Sequence, residues 1–155
     1  MFSIKMLKEE DMNRMLKSML KSGEELKCKL CAMVTISDDS VLKLKDLDNM
    51  DSVTGSVSRG ITKGYCYLGV TENEILVTIL HSFDISKINS RLRIPLDKIS
   101  SIEVAKCLIS KNIKVKITLR GNAIITLYVI SSILACGIVG QKDNASEFFK
   151  ILSEL

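Results

Sequence analysis

Five cysteines, one histidine and a scatter of carboxylates are the groups from which this 155-residue chain could build chemistry. Cys28-Lys-Leu-Cys31 has the C-x-x-C spacing of a redox dithiol or of half a zinc site. A redox pair sits at a helix N-terminus, where the dipole lowers a thiol's pKa. Here the pair falls in an alternating segment, Leu26, Cys28 and Leu30 against Glu25, Lys27 and Lys29. On a strand, positions i and i+3 point to opposite faces, so the two thiols cannot act together. Structural zinc needs four ligands, and Cys66, Cys107 and Cys136 stand alone in the sequence. His81, Ser82 and Asp84 are neighbours in sequence, but triads converge from distant segments, and no Gly-x-Ser-x-Gly elbow is present. Neither phosphate-cradling glycine motif occurs. The Asp46–Asp51 cluster lacks the central Gly and closing Glu of a calcium loop. The expectation is no catalytic residue, no metal and no cofactor.

The elements that hold these residues are legible as periodicities. Met12, Met15, Leu16, Met19 and Leu20 recur at helical spacing, predicting an amphipathic helix over Lys8–Ser22 with Gly23 at its C-cap. About seven strands are expected after it: Glu24–Ile36, Gly64–Val70, Glu74–Leu80, Arg91–Ile94, Ile99–Ala105, Asn112–Leu119 and Ala123–Ile130. Gly121-Asn122 is a hairpin turn between the last two. The stretch Ser37–Thr62, rich in Asp, Ser and Gly, reads as a long loop or weak strands. Asn144, with Glu147 in capping-box spacing, predicts a closing helix whose apolar face is Phe148, Ile151, Leu152 and Leu155. Strands without βαβ alternation argue for an antiparallel sheet, in a sandwich or a partly open barrel.

Composition narrows the function classes. The chain is 46% hydrophobic and 26% charged, enough for one core and against disorder. Lys plus Arg number 22 against 18 Asp plus Glu, a mild +4 with the basic residues scattered and only four Phe and three Tyr for stacking. A nucleic-acid partner is not expected. The N-terminal residues carry no export signal, so reduced thiols and a cytoplasmic location, with a membrane-peripheral variant, are the expectation. Ala123–Gly140 has no charge across 18 positions, yet its β-branched residues and its turn entry favour a strand over a spanning helix.

Three stretches together resemble the bacterial pleckstrin-homology-like domains of the PH/GRAM superfold. They are the helix running into Gly23-Glu24, the segment Gly64-Tyr-Cys-Tyr-Leu-Gly-Val-Thr-Glu-Asn-Glu-Ile-Leu-Val77, and Arg93-Ile-Pro-Leu-Asp-Lys-Ile99 leading into Ser100-Ile-Glu-Val104. The resemblance covers residues 23–155 and leaves 1–22 as a helical extension. It implies an α+β, mostly β fold: a seven-stranded bent antiparallel PH-like barrel with a C-terminal capping helix. It also implies a binding or interaction module rather than an enzyme, with a protein partner or homo-oligomer. Relatives that bind phosphoinositides use clustered Lys and Arg around the first strand. The corresponding cations here are Lys27, Lys29, Lys43 and Lys45, without the family's Arg, so they stand as candidates for an anionic membrane surface only. The only Arg-x-Arg pair, Arg91 and Arg93, falls in the fourth strand. The methionine stripe, Met12, Met15 and Met19, is adaptable enough to grip a partner, or to pack on the chain's own core. The apolar segment Ser131–Gly140 reads as a buried connection or as an exposed patch.

Overall fold

The computed structural model describes residues 7–46, 50–52, 62–107, 111–131 and 136–155, excepting the side chains of 45, 46, 50–52 and 62. In chain order the elements are β1 (Leu7–Lys8), α1 (Glu9–Lys17), β2 (Cys28–Ile36), α2 (Asp38–Asp46), β3 (Met50–Ser52), β4 (Thr62–Val70), β5 (Glu74–Leu80), β6 (Ile88–Pro95), β7 (Ile99–Lys106), β8 (Ile113–Leu119), β9 (Ile124–Val129), β10 (Cys136–Gly137) and α3 (Gln141–Ser153). The fold is α+β and mostly strands, as expected, and all seven expected strands are present.

One antiparallel sheet carries them in the order β3-β6-β5-β4-β2-β9-β8-β7. The first long strand, β2, lies in the middle, between β4 and β9. The chain then meanders outward on one side through β5 and β6, and returns from the far edge through β7 and β8. The sheet is not closed, which corrects the expected barrel. β3 and β7 form its two edges and do not pair with each other.

The sheet buries both faces over its centre. Alternate residues of the strands, such as Leu30, Val34, Leu68, Val77, Leu92, Val115 and Leu127, form a main core that Phe148 and Leu152 of α3 close. The opposite face of β2, β4 and β5 contributes Cys31, Tyr67, Leu76 and Leu80 to a second core, covered by Met12, Met15, Leu16 and Met19 around α1. β5 therefore has no solvent face, and all its residues but Glu74 are buried. Gly69 makes the helix approach possible. A Cβ there would meet Leu26 Cδ2 at 2.8 Å and Leu16 Cδ1 at 3.3 Å.

Three element boundaries differ from expectation. α1 ends at Lys17, and Gly23 is not its cap but a separate turn with φ +82. Glu24 closes that turn by donating its N–H to the Lys21 carbonyl at 3.0 Å. α2 replaces part of the expected loop. Ser37 Oγ accepts the Ser40 N–H at 3.3 Å, an N-cap bond, and Val41 and Leu44 bury the apolar side. α3 starts three residues before Asn144, at Gln141, because Gly140 with φ +81 turns the chain there. Asn144 instead ties the helix to the sheet, its Oδ1 accepting the Lys29 N–H at 3.0 Å. The Gly121-Asn122 turn forms as read, both residues having positive φ, and the Asn122 N–H closes it on the Leu119 carbonyl at 3.0 Å.

Candidate functional site

The methionine stripe is core. Met12, Met15 and Met19 are 0%, 3% and 6% exposed and face the chain's own sheet. A partner would have to displace α1 to reach them. The reason is that β4 and β5 present Tyr67, Leu76 and Leu80 on their outer face, and this apolar surface needs a cover. Met19 Sδ accepts the buried Thr78 hydroxyl at 3.1 Å, so the thioether also satisfies a polar group.

The lysines do not form one surface. Lys29 Nζ donates to Asn13 Oδ1 at 2.6 Å, beside α1, and Lys27 stands exposed just before β2. Lys43 lies on α2, past the other end of β2, and pairs with Asp39 at 2.9 Å. Nine residues of strand separate the two groups, a span of about 30 Å at roughly 3.3 Å per residue. The Lys45 side chain lies outside the described residues.

The cysteines of the C-x-x-C face opposite ways, Cys28 into the main core and Cys31 into the second. Burial pushes the Cys28 thiol up to about 12, and Glu147 adds to the shift. Burial also raises Cys66. Cys31 lies against Cys136. Their thiol–thiol hydrogen bond pushes Cys31 up and holds Cys136 down, at about 7. This is a pair that sequence spacing did not suggest, since 105 positions separate its members. His81 Nδ1 accepts the Phe83 N–H at 3.2 Å within the β5–β6 loop.

Two solvent-open features among the described residues bear on a protein partner. The first is a cavity of about 770 Å³ between the α3 N-terminus and the end of β9, walled by Ile113, Val129, Ile138 and Phe149 with Cys136 and Gln141 at one side. Gln141 fixes that wall. Its Oε1 accepts the Cys31 N–H, and its Nε2 donates to the Cys31 and Ile130 carbonyls, all at 2.9 Å. The apolar segment Ser131–Gly140 is mixed. Cys136 and Ile138 are buried, Val139 is 80% exposed, and 132–135 lie outside the described residues. The second is β7. Among the described residues it pairs on one side only, with β8, and Ser100, Ser101 and Glu103–Lys106 are all exposed, Val104 at 55%.

No family model matches the chain, and no curated protein matches it. Among solved structures, the C-terminal domain of an unknown protein from Leishmania infantum is similar at a TM-score of 0.48 and 14% identity, over 92% of this chain and 94% of that one. A likeness of that size assigns neither fold family nor function. No described helix is long and apolar enough to cross a membrane.

Proposed function

We propose that the chain is a PH-like, non-enzymatic interaction module that associates with a second copy of itself through the β7 edge. The PH-like reading draws its support from the order of the seven antiparallel strands, with β2 at their centre, and from α3 closing the main core. The binding reading draws on where the reactive side chains lie. Cys28, Cys31 and Cys66 are spent in the cores, with their thiols held protonated.

The carrying observation is the β7 edge. An exposed edge presents a row of backbone donors and acceptors that another strand can complete. Natural edges are commonly blunted by shortness or by central lysines. The opposite edge, β3, has three residues, whereas β7 has eight, with no lysine before Lys106 at its end and a single charge, Glu103, at its middle. A second reading, a peripheral membrane domain in the cytoplasm using Lys27, Lys29, Lys43 and Lys45, has less support, because these cations sit at opposite ends of β2.

Sedimentation velocity over a concentration series tests the proposal. The wild-type chain is expected to dimerise, and Val104→Lys, a charge on an already exposed position, to shift it to monomer with unchanged far-UV circular dichroism. A wild-type chain that stays monomeric at every concentration, or a dimer indifferent to Val104→Lys, overturns the β7 interface.

A further inference from the structure

We infer that the cleft between α1 and the β5–β6 hairpin is an anion site that takes a phosphomonoester group. The cleft has a volume of about 480 Å³ and is lined by Arg14, Arg91 and Lys87, with Ser18 and Ser86 between them and Met15 as an apolar wall. Among the described residues, no carboxylate lines it. Three cations lining one cleft fit an oxyanion carrying more than one charge. The hydroxyls are already committed, Ser18 Oγ donating to the Met15 carbonyl at 2.6 Å and Ser86 Oγ to Asp84 Oδ1 at 2.5 Å.

Arg91 is the anchor. Its Nε is closed to water and has no hydrogen-bond acceptor among the described residues. A buried donor left without a partner costs free energy, more so on a charged group. Arg93, two residues along the same strand face, shows how this protein treats an arginine it uses structurally. It holds Glu74 at 3.1 Å and Glu24 at 3.7 Å. The cleft walls are fixed in place, because Arg14 Nη2 donates to the Ser86 carbonyl at 3.2 Å and so ties α1 to the hairpin. Two carboxylates border the cleft, and Asp84 also accepts the Ser86 N–H at 3.0 Å and the Ser86 hydroxyl at 2.5 Å. Asp11 bridges Arg14 at 3.2 Å on the exposed side, and Asp84 stands 3.9 Å from Lys87. Asp51 is in register with Arg91 across the β3–β6 ladder, and its side chain lies outside the described residues.

The site belongs to the surface opposite the main core and is separate from β7, so it goes beyond the self-association proposed above. Its test does not read oligomeric mass.

Titration of the isotope-labelled chain with inorganic phosphate, followed by amide NMR, is expected to give saturable shifts confined to the cleft amides. Arg91→Gln and, independently, Lys87→Gln on the exposed loop each weaken binding about tenfold. Lys114→Gln, a cation on β8, changes nothing, and Asp51→Asn binds as well as wild type or better. Added sodium chloride weakens binding, as screening requires. Vesicles with phosphatidic acid, set against phosphatidylcholine alone, separate the sources of the group. Co-sedimentation with the former assigns a lipid headgroup, and phosphate binding without it assigns a soluble ester. Absence of saturable cleft shifts, or equal losses in Lys114→Gln and Arg91→Gln, overturns the site.

Discussion

Tyr67 is fully buried on the outer face of β4, and its Oη accepts the Lys8 N–H at 3.1 Å. Burial pushes its hydroxyl up to about 12, and Cys28 rises to about the same value. In the unfolded chain these groups ionise near 10.0 and 9.0. The unfolded state therefore loses protons first as pH rises. The stability these groups confer is whole below about pH 9 and drains away as pH climbs toward about 12. A urea midpoint that falls steadily through this window is the expected result, and Tyr67→Phe should flatten part of the slope. The same variant strips the Lys8 N–H of its acceptor and is expected to lose about 1–2 kcal/mol at neutral pH, read from the same denaturation curves. Met12→Ala removes a side chain with no exposure and is expected to cost about 2–5 kcal/mol, the usual range for opening a core cavity.

At the scale of elements, contact between α1 and the sheet hinges on Gly69. Gly69→Val would drive branched methyls into Leu16 and Leu26, and an overpacked contact of this kind costs about 1–3 kcal/mol. The expected signature is lost protection from hydrogen exchange in α1, with β8 and β9 unaffected. The β8–β9 hairpin was the most legible part of the sequence. Ile113, Val115, Ile117 and Leu119 alternate without a break, and Gly121-Asn122 is a turn whose backbone those two residues tolerate. α2 was hidden because Asp38, Asp39 and Ser40 read as turn formers, and the cap that makes them helical depends on one hydroxyl, Ser37 Oγ. Gly140, a left-handed start to α3, outweighed the capping box at Asn144, whose side chain is instead committed to β2. Among site residues, the opposition of Cys28 and Cys31 followed from strand period alone. The Cys31–Cys136 contact and the Arg14–Lys87–Arg91 cleft come from segments far apart in sequence, so only tertiary packing brings them together.

For the molecule as a whole, the division into an extension, 1–22, and a domain, 23–155, has an energetic consequence. The second core spans that boundary, with Leu7, Met12, Met15, Leu16 and Met19 on one side and Cys31, Tyr67, Leu76 and Leu80 on the other. Removing 1–22 would bare a contiguous apolar face in the middle of the sheet. The truncated chain is expected to bind 8-anilinonaphthalene sulfonate strongly and to aggregate on concentration, whereas the full chain does neither. Among the described residues, β7 is the longer of the two sheet edges, and the face that α1 covers is roofed.

The roof also has a history in time. Its anchor points, Lys8 to Tyr67 and Met19 to Thr78, each join residues 59 positions apart. A ribosome adding about 5–20 residues per second needs some 3–12 s to make that much chain. For that interval each new copy carries a methionine-rich helix whose seat does not yet exist. Nascent chains stalled before β4 should therefore recruit hydrophobic-binding chaperones, and those stalled after β5 has emerged should release them.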